Sequence, residues 1–161
     1  MLIRLTHTHD WKLLKHTRLA ALLDAPSAFG VSYQSAAQSS DEQWQERADS
    51  TSGTTFWLAL EDDRALGMIG AALSDQGRYN LIGMWVDASA RGSGIASQLV
   101  DAVKTRALEQ SHGRVFLDVA PDNRRAANFY LKQGFVFIDE WEPLASHPQI
   151  LVQTMIWQAS H

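Results

Sequence analysis

Two glycines one residue apart, Gly92 and Gly94, separate a β-prone run ending in Met84-Trp85-Val86 from the longest helical pattern of the chain, which opens with Ile95, Ala96 and Ser97. At such a junction the first main-chain N–H groups of the helix lack intrahelical partners and the helix dipole adds positive potential. Small residues such as Gly92, Ser93 and Gly94 then let an anion approach closely. A phosphorylated ligand suits this chemistry. A lone Gly-x-Gly is also what a tight turn demands, so the surrounding residues must decide. The nucleoside-triphosphate loop, Gly-x-x-x-x-Gly-Lys followed by Ser or Thr, occurs nowhere in the sequence. The dinucleotide fingerprint is matched imperfectly by Gly92, Gly94 and Ser97, yet Asp118 stands where that motif wants its acidic residue. A nicotinamide-dinucleotide (NAD-type) domain is therefore one alternative, although the glycines follow three β runs instead of opening a βαβ series.

A wider set of residues selects another pattern. Arg91-x-x-Gly94-x-Ala96, preceded by the strand ending in Trp85-Val86, resembles the Arg/Gln-x-x-Gly-x-Gly/Ala signature of the GNAT superfamily of N-acetyltransferases. A second block, Asn123 followed by Ala126, Ala127, Phe129-Tyr130 and Gly134-Phe135, resembles the family's C-terminal coenzyme-binding motif and comes in the right order. The resemblance is sharpest over residues 79–137 and extends to the whole chain. It implies acetyl-coenzyme A as cosubstrate, no metal, and a parallel pair of strands splayed apart in the centre of the sheet, here 79–86 and 115–119. The pyrophosphate would lie on the amides of Arg91, Gly92, Ser93, Gly94, Ile95 and Ala96, next to Ser97. The acetyl carbonyl would meet the backbone N–H of Val86, flanked by Met84 and Trp85. Asn123 and Ala126 would border the pantetheine arm, with Phe129, Tyr130 and Lys132 toward the thiol or the phosphates. Phe29, Tyr33 and Trp141 would line the acceptor pocket.

Tyr130 is the residue expected to carry chemistry. A departing coenzyme thiolate, with a thiol pKa near ~8.5, can take a proton from a tyrosine hydroxyl placed beside the sulfur. The base is less legible, because residues 78–86 contain no carboxylate where some relatives place a glutamate. A water held by Asn80, or a carboxylate from Asp41, Glu42, Glu140 or Glu142, could serve, and the sequence ranks none of them. With no cysteine in the chain to form a thioester, direct transfer to a primary amine in a ternary complex is expected. The acceptor is a small-molecule or protein amine. A catalytically silent coenzyme A sensor is a further alternative.

The elements that must position these groups are readable from periodicity. Residues 2–5 alternate as a strand, Asp10 is placed to cap a helix carrying Trp11, Leu14, Leu19, Leu22 and Leu23, and Ser39 with Glu42 has capping-box spacing ahead of a shorter helix. Residues 27–38 between them read as flexible chain. Strands follow at 54–60, 65–73 and 79–86, then a helix from Gly94 to about His112 with Gly113 as its stop, a strand at 115–119, a helix from Asn123 to Gln133 with Gly134 as its stop, and strands at 135–139 and 150–157. A single α/β domain is expected, with a mixed, mostly antiparallel sheet and helices on both faces.

Composition agrees with one folded unit. The chain has 161 residues, 45% of them hydrophobic and 20% charged, a size that suits a single core. The net charge of −4 disfavours bulk nucleic-acid binding and mildly favours a cationic acceptor. No run reaches membrane-span length and no signal-peptide layout opens the chain, so a cytoplasmic, membrane-free protein is expected. His7 and His9 read as surface histidines, not metal ligands. The apolar last strand with Trp157 is the candidate surface for a homodimer.

Overall fold

The computed structural model describes residues 1–51 and 53–159. The elements are β1 (Leu2–Leu5), α1 (Trp11–Asp24), α2 (Tyr33–Ala37), α3 (Asp41–Ala48), β2 (Thr54–Glu61), β3 (Arg64–Leu73), β4 (Tyr79–Val86), α4 (Ile95–Glu109), β5 (Arg114–Val119), α5 (Arg124–Lys132), β6 (Val136–Leu144) and β7 (His147–Gln158). One seven-stranded sheet runs in the order β1-β2-β3-β4-β5-β7-β6. Every neighbouring pair is antiparallel except β4 and β5. That mixed, mostly antiparallel sheet with one central parallel pair is the expected architecture.

The central strands are buried on both faces, which is why they read as continuous apolar runs. Along β2, Phe56, Leu58 and Leu60 pack with Leu14, Leu22 and Trp44 of α1 and α3. The alternate residues Trp57 and Ala59 join Leu99, Val103 and Ala107 of α4 and Tyr130 of α5 on the other face. Trp44 and Leu99 are almost wholly enclosed.

Several local readings are corrected. Asp10 directly precedes α1 but its carboxylate turns away from the helix, accepting from Arg4 (2.7 and 3.0 Å) and from the His7 N–H (2.7 Å). The capping box of α3 uses Ser40 and Gln43, one residue beyond the expected pair. The stretch expected to be flexible contains α2, started by Ser32, whose hydroxyl accepts from the Ser35 N–H. At the end of α4 the left-handed residue is Ser111 (φ 65°), not Gly113, and the His112 N–H closes the turn onto Ala107 O at 2.7 Å. Strands β6 and β7 extend well beyond the expected limits, because each supplies the ladder partner that single-strand patterning cannot reveal. Most consequentially, β7 lies between β5 and β6, so both of its edges are already paired and it cannot join a second copy edge to edge.

Candidate active site

Three features of the sheet open a cleft at its centre. First, β4 and β5 are in register at a single pair, Asn80 with Phe116, and separate beyond it. Second, β4 carries a bulge: Met68 opposes Trp85 and Gly70 opposes Ile82, so Gly83 and Met84 face Ile69 alone, with Gly83 at φ 59°. Third, the Asp87 N–H donates to Leu66 O of β3 at 2.8 Å. By strand alternation the Val86 backbone faces the other way, into the gap.

The cleft has a volume of about 550 Å³ and is walled by β4, the β4–α4 loop, the first turn of α4 and one side of α5. Of the residues expected to hold a coenzyme, Met84, Trp85, Val86, Arg91, Gly92, Gly94, Ile95, Ala96, Ser97, Asn123, Ala126 and Phe129 line it. Gly92 and Gly94 have φ values of 83° and 87°, and a Cβ on either would meet nothing within 4 Å. Glycine is needed there for conformation, while the space beside it stays open. Helix α4 starts from Gly94 with no side chain capping its amides and no acidic residue in its first turn, which leaves the positive end unneutralised. Ser93 does not line the cleft; its hydroxyl donates to Ala90 O and fixes the loop.

The second motif does structural work as well. The Asn123 side chain accepts from the Ala126 N–H at 3.4 Å and caps α5. Tyr130 is buried, edge-on to Phe129 (ring centroids 5.2 Å) and Phe135 (5.8 Å), and its hydroxyl points at the Met84 sulfur, 3.9 Å away. Burial pushes the Tyr130 phenol up, so it keeps its proton throughout the physiological range. Lys132 is exposed near the C-terminal end of α5, away from the cleft wall. Arg125 lines the cleft whereas Arg124 does not.

One contributor was not anticipated from the sequence. Asp24, the last residue of α1, accepts from the Trp85 indole N–H (3.0 Å) and from the Arg91 guanidinium (2.6 Å), and these bonds hold its carboxyl below the usual range. Arg91 also donates from Nε to Val86 O at 3.1 Å. The three side chains lock the strand end, the loop and α1 together. The available signal was an acid at the C-terminal end of a helix, where the dipole disfavours it.

A second cleft of about 700 Å³ shares Asn123 with the first and is lined by Ser27, Ala28, Asp118, Val119, Trp141, Leu144 and Val152, among others. Trp141 is thus placed on a cavity wall. Phe29 is buried in the core beneath the Arg18 guanidinium, and Tyr33 is exposed at the start of α2; neither lines either cleft. Of the carboxylates considered for proton removal, Glu140 is held by two bonds from Arg78 (2.6 and 2.8 Å), while Asp41 and Glu42 sit in the first turn of α3. Asp118 accepts from the Thr154 hydroxyl at 2.7 Å and, through its interaction with Glu142, pushes the Glu142 carboxyl up. Asn80 donates to Arg78 O at the closed end of the splay. Among the described residues no group of three or more His, Asp or Glu side chains could hold a metal ion, and no helix is long and apolar enough to cross a membrane.

The profile of the Acetyltransferase (GNAT) family matches residues 19–135. The chain belongs to the GNAT family. Human N-acetyltransferase 8 is 33% identical over 88 residues, covering 52% of this chain and 39% of that protein, so the match spans well under half of the curated relative. A GNAT-family acetyltransferase from Staphylococcus aureus Mu50 superposes on the fold with a TM-score of 0.75 at 22% identity, covering 99% of each chain. An acetyltransferase structure from Bacillus anthracis in complex with acetyl coenzyme A gives a TM-score of 0.60 at 20% identity, covering 68% of this chain and 64% of that one. In this GNAT-family fold Asp118 stands on β5, bonded to Thr154 and interacting with Glu142, and the dinucleotide alternative falls with the mixed sheet topology.

Proposed function

We propose that this GNAT acetyltransferase moves an acetyl group from acetyl-coenzyme A to a primary amine by direct attack, with both substrates bound together. The observation that carries the reading is the splay of β4 from β5 past Asn80 and Phe116, which opens onto the uncapped start of α4. The amides from Gly92 to Ser97 bind the coenzyme's phosphates, the Arg91 N–H being already turned to Ala88 O, and Arg125 adds positive charge at the rim. Met84, Trp85 and Val86 present strand backbone along the gap, where the Val86 N–H polarises the acetyl carbonyl. Asn123, Ala126 and Phe129 form the opposite wall. As the acceptor nitrogen bonds to the acetyl carbon and the carbon–sulfur bond breaks, the Tyr130 hydroxyl gives its proton to the sulfur, the nitrogen loses a proton to solvent water, and a proton returned from solvent restores the phenol. The second cleft, with Trp141 on its wall, admits the amine from the other side. Lys132, Phe29 and Tyr33 are given no contact in this scheme.

Thermal melting with ligands tests the coenzyme half of the proposal. Acetyl-coenzyme A and coenzyme A should each raise Tm as their concentration passes Kd, and NAD should not. Thiol release over a panel of amines tests the transfer: turnover supports the enzyme, whereas coenzyme stabilisation without thiol release from any amine supports the silent sensor instead.

A further inference from the structure

Removing a proton from the acceptor before attack is the step that the scheme above leaves without a residue. At physiological pH a primary amine is chiefly an ammonium, whose nitrogen has no lone pair for the acetyl carbon. Asp24 lines the coenzyme cleft, but Trp85 and Arg91 hold it as an anion of low proton affinity. Glu140 is committed to Arg78. Asp118 stands apart. It lies two residues past Phe116, the one residue of β5 in register with β4, and thus where the two strands part. Leu117 and Val119 turn into the core shared with α4 and Tyr130, so strand alternation turns Asp118 to the opposite face. There it is exposed on the wall of the second cleft, which shares Asn123 with the coenzyme cleft.

Its surroundings suit a proton acceptor. The Thr154 hydroxyl on β7 donates to Oδ1 at 2.7 Å and fixes the carboxyl without neutralising it. Glu142, reaching across from β6, shares a hydrogen bond with the same carboxyl and is pushed up by it. Two carboxylates this close repel when both are ionised, so the pair takes up one proton more readily than a lone acid does. The other charged groups around the pair are Arg78 of β4 and Glu140 of β6, with Asp122 of the loop after β5 on the same cleft wall; Ser27 and Ala28 bring no charge.

We propose that Asp118 is the catalytic base, with Glu142 as its proton-sharing partner: it takes one proton from the acceptor ammonium, directly or through one cleft water, and frees the nitrogen lone pair for attack. An N–H bond breaks, an O–H bond forms on the carboxyl, and that proton passes to solvent after the product leaves. The second proton, shed once the carbon–nitrogen bond exists, goes to water as in the scheme above, and Tyr130 stays the donor to sulfur. This inference rests on the proposed acetyl transfer and adds its base.

The test follows thiol release by the full chain with acetyl-coenzyme A over a pH series, using amino-acid amides, with an α-amine pKa near ~8, and alkylamines near the ~10.4 of lysine. Asp118→Asn should lower kcat about a hundredfold for an acceptor that is cationic at the assay pH, but less than about threefold for amino-acid amides at about pH 9, where they are mostly neutral. Its Tm should not fall below wild type, and stabilisation by acetyl-coenzyme A should be retained. Glu142→Gln, at an exposed position, removes the neighbouring charge and should move the acid limb of the kcat–pH profile to lower pH by roughly one unit. Asp122→Asn takes a charge from the same wall and should do neither. Wild-type turnover in Asp118→Asn, a loss equal for cationic and neutral amines, an acid limb that Glu142→Gln leaves in place, or the same pattern in Asp122→Asn would each overturn the proposal. Absence of thiol release by the wild-type chain from every amine is a different result, and it would remove the transfer reading itself together with Asp118's part in it.

Discussion

At the scale of single residues, two side chains show how burial assigns roles. Tyr130 is enclosed by Phe129, Phe135 and Met84, and among the described residues the acceptor facing its hydroxyl is the Met84 thioether at 3.9 Å. A sulfur is a weak acceptor, so the hydroxyl is a donor held ready more than a satisfied structural bond. Tyr130→Phe is therefore expected to lower kcat by roughly tenfold or more while leaving the coenzyme Kd close to wild type. Unchanged turnover in steady-state assays would reduce Tyr130 to packing. Asp24 acts differently, as an anion that positions Trp85 and Arg91 by accepting from both.

At the scale of elements, the decisive object is the turn into α4. Gly94 holds φ at 87° directly before the first helical residue, and its surroundings leave room for a Cβ. Gly94→Ala should then cost about 1–2 kcal/mol, the strain of a left-handed alanine, with no steric clash in the free protein. Gly77, at φ 78° in the turn between β3 and β4, has equally open surroundings and lies away from the cleft at the start of α4. Gly77→Ala is the matched control: both variants should melt earlier, but only Gly94→Ala should also weaken acetyl-coenzyme A binding in a titration. Equal coenzyme affinity for the two would mean that the turn does not cradle the phosphates.

At the scale of the whole molecule, the first strand is tied to the first helix through Asp10 and Arg4. That carboxyl is held down to about 2 by the Arg4 hydrogen bonds first, with the His7 N–H adding to them against the opposing effect of burial. A folded pKa below the unfolded value of 3.8 means that the stabilisation is present above about pH 4 and lost as the pH falls toward 2. Asp10→Asn should lower stability by on the order of 1–2 kcal/mol at pH 7, with the difference from wild type shrinking through that window in denaturant melts. A difference independent of pH would place the stabilisation elsewhere. The same scale governs association: with β7 enclosed by β5 and β6, edge pairing by the last strand is closed off, and the two sheet edges are β1 and β6.

Much of the site was legible in advance because its signals are local. The paired glycines before a long amphipathic run, the asparagine that caps α5 and the β4 limits at 79 and 86 depend on residues adjacent in the chain. So does the order of elements, since period-two and period-3.6 patterns need no distant partner. Small offsets at helix ends have an equally local cause: Ser40 competes with Ser39, and Ser111 takes the left-handed position that Gly113 could have filled. By itself, then, the chain determined its family, most of its elements and the glycine-rich turn that opens α4. Only the tertiary structure decided that β7 inserts beside β5, that Asp24 reaches across to Arg91, that Phe29 is core while Trp141 walls a cavity, and that Asp118 and Glu142 come together across β7. Those facts depend on which distant segments meet, and neither hydrophobic periodicity nor residue spacing carries that information.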